Sequence, residues 1–458
     1  MDSVCKSLAR IVGEDYVSSQ PEELYLYGRD LGTSEPHPPD YVVAPKTAEE
    51  VQEIVKLANR EKIPVVPLGG GLSLTGLVMP LRGGMVVDLK RMDRIIEVNE
   101  RGRHALVEAG VSQGKLAIYL DNHHPNLIHS EPGAPPQATI GGNVVIHGQG
   151  DLALYGFNSD MVAGLEVVLP TGELCRIGSC SLSPYWFSRP PLPELGGLFL
   201  GWFGTTGIVT KVSLKLFPRK RVRDAEIFLV EDASLVPDIA YKLTHTGVAE
   251  DILSLSQEVP PRMEGLHHIN IVFSGDSEKE LEFKRDLICE DTLGEYVRNG
   301  NGGFLEAPPE TKAALLRRPQ IDRISADIKK GGGFEYVGAI IPVETYPECW
   351  KHGVDISARH DIAHTLLARV IGSCHAMMYS WTYAFNRADP ASVERAKEAL
   401  HESDRLILEL GGVPWKPGVY AQGLMLDQMD PNTRSLMMKL KAFLDPNGIM
   451  NPGNWEVQ

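Results

Sequence analysis

Cysteine is scarce: six in 458 residues, at positions 5, 175, 180, 289, 349 and 374, with no C-x-x-C pair and no cluster of four. That spacing excludes a zinc ribbon and an iron–sulfur cluster held by this chain alone. The length supplies a core large enough to need no disulfide staple. Basic residues are outnumbered, 45 Lys and Arg against 60 Asp and Glu, and the net charge of −15 argues against a nucleic-acid or anionic-lipid partner. No apolar run reaches the length of a membrane span, and the opening MDSVCKSLARIVGEDY lacks a long hydrophobic stretch, so the expectation is a cytoplasmic protein. Fixed-period repeats and low-complexity tracts are missing as well. What is there, 43% hydrophobic and 23% charged residues, is the composition of an ordinary globular chain.

Thr47 followed three positions later by Glu50, with Val51, Ile54, Val55 and Ala58 at helical spacing, predicts a packed helix to Glu61 that Pro64 stops. Strands are expected at Val65-Val66, Met85 to Leu89, Ala105 to Val111 and Gly164 to Leu169, with Thr171-Gly172 turning into Leu174 to Ile177. IVTKVSLKLF, from Ile208 to Phe217, alternates apolar and polar residues like a half-buried strand, and a domain boundary is expected just after it. Residues 223–412 read as a separate α+β unit with strands at Ile269 to Phe273 and Tyr336 to Pro342 and a helix from Ser392 to Leu410. A further helix is expected at Thr433 to Leu444.

Three glycine-rich stretches stand in the first half: PLGGGLSLTG (67–76), ATIGGNVVIHGQG (138–150) and FGTTGIVT (203–210). Consecutive glycines let backbone N–H groups converge on one anion, which suits the pyrophosphate of a dinucleotide, whereas tight turns between strands explain any one cluster taken singly. Neither a Walker A loop nor the G-x-G-x-x-G of a Rossmann turn is present.

The succession VVPLGGGLSLTG, MVVDLKRMDRIIEV, ALVEAGV, SEPGAPPQATIGGNV, GLEVVLPTGEL, GTTGIVTKVSLKLFP and DPNGIMNPG resembles the vanillyl-alcohol oxidase/p-cresol methylhydroxylase superfamily, including its glycolate oxidase and D-lactate dehydrogenase type members. The resemblance runs from about residue 7 to the C-terminus. It implies a two-part FAD-binding domain of the PCMH type at 1–222, an α+β cap over the flavin at 223–412, and a segment at 413–458 returning to the first domain. It also implies that Pro67, Gly69, Gly70, Gly71, Leu72, Ser73 and Leu74 surround the pyrophosphate and that Pro132, Gly133, Thr139, Gly141 and Gly142 continue along the flavin. Tyr155, Gly156, Gly207, Ile208 and Val209 complete the walls by the same resemblance, and Asn451 brings the chain back to the ring. Since the first loop has no His, the FAD is expected to be non-covalent there, with His375 the alternative attachment point.

Members of the D-2-hydroxy-acid branch carry Gly-His-x-Gly-Asp-Gly-Asn-x-His on a cap strand and a later Gly-Glu-His-Gly. Here the corresponding segments are GSCHAMMYSWTYAF (372–385) and GGVPWKPGVYAQG (411–423), so the metal-ligand positions fall on Ser373 and Ser380 and no metal is expected. Tyr379, Trp381 and Tyr383 alternate on one face, with Trp415 and Tyr420 following, and are read either as an aromatic substrate pocket or as cap core. Tyr420 resembles the Tyr of a phenolate-binding Tyr-Arg pair whose Arg is replaced by Ala421. His375 is the candidate general base, against a structural role. Arg317, Arg318 and Arg323 are candidates for a substrate carboxylate, against a solvated face. The pairs His123-His124 and His267-His268 read as structural.

The leading expectation is an FAD-dependent oxidoreductase that moves a hydride from an aromatic or apolar alcohol or phenol to the flavin, with Tyr379 and Tyr420 beside His375 at the chemistry and electrons passing to oxygen or a protein acceptor. The alternatives are a metal-independent 2-hydroxy-acid dehydrogenase and a flavin-carrying subunit that works with an iron–sulfur or second flavin partner, in a homo- or hetero-oligomer.

Overall fold

The computed structural model describes residues 2–256, 265–317, 331–363 and 365–456. Thr47 starts the expected helix, Ala48–Glu61, its hydroxyl accepting the Glu50 N–H at 3.2 Å. Glu50 reaches back to the N–H of Lys46 at 2.6 Å, one residue beyond a reciprocal capping box. Val51, Ile54, Val55 and Ala58 are fully buried, and the helix lies against a four-stranded sheet ordered Val17–Ser18, Tyr41–Val43, Met85–Asp88, Val65–Leu68. Its last three strands run parallel.

A five-stranded antiparallel sheet follows, ordered Ile95–Asn99, His104–Glu108, Ile208–Lys215, Val162–Val168, Leu174–Ile177. Ile208–Lys215 is central, so its alternation does not mark one wet face. Thr210 and Ser213 are fully buried, and their hydroxyls donate to the Glu166 and Trp186 carbonyls at 3.2 and 2.6 Å.

The third sheet has eight strands, in the order Gly303–Phe304, Val222–Val230, His267–Gly275, Ala249–Ser256, Leu366–Ile371, Ala376–Asn386, Gly332–Ile341, Val413–Trp415. The helices Val236–His245, Tyr346–Arg359 and Pro390–Glu409 cover one face and share its apolar core. The last of these and Pro431–Leu444 begin two residues before the sequence reading, because Asp389 and Asp430 cap them and a proline occupies the first turn. Among the described residues no helix is long and apolar enough to cross a membrane.

Two contacts tie the sheets together. Met450 bridges to Val65, and the Asn451 amide donates to the carbonyls of Leu77 (3.2 Å) and Phe203 (2.7 Å), clamping two loops of the first half. At the other side the strap 30–33 lies over the strand Gly332–Ile341. Phe334 N donates to Leu31 O at 3.1 Å, and Glu335 accepts Thr33 N at 3.1 Å. Asp30 takes the N–H groups of Gly32 and Gly76, each at 2.8 Å. Burial, then the neighbouring Asp30, raises Glu335 to about 8, so it is a neutral acid at pH 7. A carboxyl whose folded pKa is raised contributes stability that is fully present below its unfolded value and lost as the pH rises toward 8. Thermal unfolding of the parent and of Glu335→Gln is therefore expected to converge near pH 4.5 and to separate in favour of the Gln variant as the pH approaches 8. A constant difference across that range contradicts the neutral clasp.

Candidate functional site

Between the glycine loops of the first half and the open face of the eight-stranded sheet lies a cavity of about 330 Å³. Residues 69–75 form one wall. Among the described residues, the backbone N–H groups from Gly70 to Thr75 donate to no protein acceptor, leaving a row of donors for an anion. The second cluster differs. Ile140 N, Gly141 N and Gly142 N donate to Val111 O, Ala109 O and Thr139 Oγ1, so that segment is a packing element. Its glycines answer to crowding: a Cβ on Gly141 would stand 2.6 Å from the Ala109 Cβ, and one on Gly69 only 2.3 Å from Thr139 Oγ1. A Cβ on Gly70 would meet the same loop, 2.7 Å from Gln137 O. One on Gly133, by contrast, would meet nothing within 4 Å, and Gly133 borders the cavity. Pro67, Leu72, Leu74, Pro132, Ile208 and Val209 supply much of the remaining wall on this side, with Gly207 beside them.

Two expected wall residues lie elsewhere. Tyr155 is 62% exposed, its ring packed 4.6 Å from that of Phe217, and Gly156, at φ +106°, only turns the chain. Neither borders the cavity. Asn451 acts from behind the wall, through the two carbonyls described above.

On the sheet side the period-2 reading places Tyr379, Trp381 and Tyr383 on one face, and that face is the helix side. All three are buried in the core; Trp381 Nε1 donates to the Tyr379 hydroxyl at 3.1 Å, and Tyr383 pairs with Ser403 at 2.6 Å. Met378, Ser380 and Thr382, one step out of phase, border the cavity. Tyr379 and Trp381 are thus core residues, and Ser380 is the member of the motif that reaches the site. His375 sits exposed on the turn between Leu366–Ile371 and Ala376–Asn386, away from the cavity, and is neither base nor attachment point there. Tyr420 borders a second cavity of about 260 Å³, stacked on His401 at 3.7 Å. Arg405, from the helix Pro390–Glu409, donates to its hydroxyl, so the missing Tyr-Arg partner is supplied from another element, outside the main cavity. Arg317, exposed after the helix Pro309–Leu316, does not line the cavity, and Arg318 and Arg323 lie outside the described residues. Ser373, exposed at the turn, is separated from Ser380. His267 pairs with the Tyr346 hydroxyl at 2.7 Å and His124 with Glu100 at 2.7 Å, both distant from the cavity lining.

Trp415 does line it, as the last strand of the sheet, with its indole N–H on His147 O at 2.8 Å. Among the described residues, the titratable groups bordering the cavity are three that the sequence reading did not single out: Tyr336, Arg369 and Lys416. Arg369 is almost completely buried, forms two contacts of 3.1 Å with Asp251, and donates to Gly150 O at 3.3 Å, joining the sheet to the first half. Lys416 borders both cavities; its Nζ lies 3.8 Å from the Trp415 ring centre and 5.9 Å from that of Tyr336. Desolvation lowers its pKa to about 7, with no carboxylate opposing it among the described residues. In the second cavity burial raises Asp404 to about 7.

Comparison with known proteins agrees with this geometry. Residues 39–178 match the FAD binding domain model and residues 259–455 the C-terminal domain of FAD linked oxidases. The chain belongs to the FAD-linked oxidoreductase family. It is 25% identical to the glycolate oxidase subunit GlcD of Bacillus subtilis, over 98% of this chain and 96% of that one. To a probable mitochondrial D-lactate dehydrogenase of Danio rerio it is 24% identical over 99% and 91%. An uncharacterized FAD-linked oxidoreductase of Mycobacterium tuberculosis is 27% identical over 94% of each chain. Among solved structures, substrate-bound p-cresol methylhydroxylase superposes with a TM-score of 0.88 at 20% identity, covering 99% of this chain and 96% of that one. The 4-ethylphenol oxidase of Gulosibacter chungangensis follows at 0.86 and 21%, over 99% and 96%. These two establish the PCMH-type fold.

FAD is the cofactor, and the residues present fit it. The N–H groups at 70–75, which have no acceptor among the described residues, suit its pyrophosphate, and the apolar walls at Ile208 and Val209 suit a flat ring. The two kinds of glycine separate experimentally. Gly70→Ala forces the two loops apart and is expected to destabilise the FAD-free protein by about 1–3 kcal/mol. Gly133→Leu is expected to leave that stability unchanged and to weaken FAD binding at least tenfold by filling the cavity. Urea unfolding of the FAD-free protein and FAD titration report the two, and a Gly133→Leu protein that binds FAD normally contradicts the assignment.

Proposed function

We propose that this enzyme oxidises the carbon bearing, or conjugated to, the hydroxyl of an alcohol or phenol with a flat apolar body, and that Lys416 receives the hydroxyl proton. The observation that carries this reading is the half-buried amine of Lys416 in the cavity wall, held on an aromatic face with no carboxylate partner among the described residues. At a pKa of about 7 a large share of it is neutral at physiological pH and can accept a proton. Arg369 cannot take that role, since a guanidinium stays protonated and this one is engaged by Asp251. Phe334, Leu366 and Met378 offer the substrate an apolar surface, and the hydroxyls of Ser380 and Thr382 orient its polar end. Bound FAD supplies the hydride acceptor. The electrons then pass to oxygen or to an iron–sulfur or flavoprotein subunit associated with this chain.

A second reading has its own observation. Two cationic side chains, Arg369 and Lys416, border the cavity, and the relatives named glycolate oxidase and D-lactate dehydrogenase point to 2-hydroxy acids. In that case protonated Lys416 holds the substrate carboxylate. The two readings have opposite signs in pH. For an alcohol or phenol, anaerobic FAD reduction is expected to accelerate as the pH rises through 7, and Lys416→Met to slow it about 10²- to 10⁴-fold. For a hydroxy acid, KM is expected to climb as the pH rises through 7, with Lys416→Met raising KM rather than lowering kcat. Stopped-flow bleaching of the flavin band with 4-alkylphenols, benzylic alcohols and 2-hydroxy acids decides between them. Reduction by any of these that is unchanged in Lys416→Met defeats both.

A further inference from the structure

Gln149 is 4% exposed, yet among the described residues neither its amide oxygen nor its amide nitrogen has a partner. Each buried amide atom left without a hydrogen bond costs about 1–3 kcal/mol, so a side chain with both vacant is matched to something the protein alone does not contain. The residue borders the main cavity. Its backbone is held firmly on both sides. Gly150 bridges to Pro132, and a Cβ there would stand 2.2 Å from Ser130 Oγ, while Arg369 donates to Gly150 O at 3.3 Å. Because Arg369 belongs to the eight-stranded sheet, that bond places Gln149 at the end of the cavity the sheet roofs, beside the surface where a substrate must meet the reactive ring.

We infer that the Gln149 amide pairs with the imide edge of the flavin ring, donating from Nε2 to a ring carbonyl and accepting at Oε1 from the ring N–H. An imide presents a carbonyl beside an N–H, and a primary amide is its complement in both directions. The rest of the cavity near this point offers no other side chain with two vacant polar atoms among the described residues. A donor aimed at a flavin carbonyl binds more strongly when that oxygen carries more negative charge, which is the case in the reduced ring. Gln149 therefore both orients the ring and raises its reduction potential. The same donor–acceptor pair would also suit an adenine edge, and the test separates the two.

The experiment uses the full chain with Gln149→Leu and the volume-conserving Gln149→Met. FAD affinity is measured by titrating the FAD-free protein, the midpoint potential by dye equilibration of the FAD-loaded protein, and ADP binding by competition. Both variants are expected to bind FAD about 5- to 100-fold more weakly, the range one to two lost buried hydrogen bonds predicts. If reduced FAD loses tenfold more affinity than oxidised FAD, the two-electron midpoint falls by about 30 mV. ADP affinity is expected to stay unchanged, and the FAD-free variants to unfold at or above the parent's temperature, since an unpaired amide has been removed. Weaker ADP binding with an unshifted midpoint potential assigns the amide to adenine and overturns the proposal. Loss of stability in the FAD-free form of both variants overturns it as well, because the amide then serves the fold.

Discussion

The site depends on one close approach of backbone to backbone, where residues 69–70 lie against the 137–142 segment with no room for a Cβ on either Gly69 or Gly70. The second segment's N–H groups are used on Val111, Ala109 and Thr139, whereas among the described residues those from Gly70 to Thr75 have no protein acceptor. A row of such donors in the cavity wall suits an anion. The Asn451 amide holds the same arrangement from behind by bonding two loop carbonyls, so the C-terminal segment is a structural part of the cofactor wall although it never borders the cavity.

Above that wall the eight-stranded sheet does two jobs with its two faces. One carries Tyr379, Trp381 and Tyr383 into a helix-covered core, and the other carries Met378, Ser380 and Thr382 to the cavity. The aromatic side chains fix the sheet's position; the smaller, more polar residues between them define what the substrate meets. Pairing of the strand Val413–Trp415 at the sheet edge adds Trp415 and, next to it, Lys416, an amine that desolvation makes responsive near neutral pH. Leu31 of the strap 30–33, which rests on the neutral Glu335, borders the cavity as well.

Much of the fold was legible in local pattern. Thr47 and the apolar spacing after it predicted the helix that packs on the first sheet, and the motif succession, through its family resemblance, predicted the FAD-binding fold; most of the glycine-loop residues it named border the main cavity. Boundaries shifted where a cap preceded the periodic residues, as at Asp389 and Asp430. The substrate side was far less readable. Period 2 correctly grouped Tyr379 with Trp381 but contains no information about which face meets helices and which meets a ligand. Arg405 beside Tyr420 was invisible for another reason: the two come from different helices 15 residues apart, and only packing makes them neighbours.

By itself, then, the sequence determined the family and the cofactor, because the whole succession of motifs carries the resemblance to FAD-linked oxidases, and it marked the glycine loops as candidates for an anion. Only the tertiary structure decided the chemistry-bearing side chains. Gln149 and Lys416 lie within segments whose other residues carried the pattern, and Arg369 lies in a plain apolar strand; their character comes from desolvation, from the Asp251 partner, and from two amide atoms left without a partner among the described residues. Those are properties of the surroundings, which residues distant in the chain create when the sheets close over the cavity.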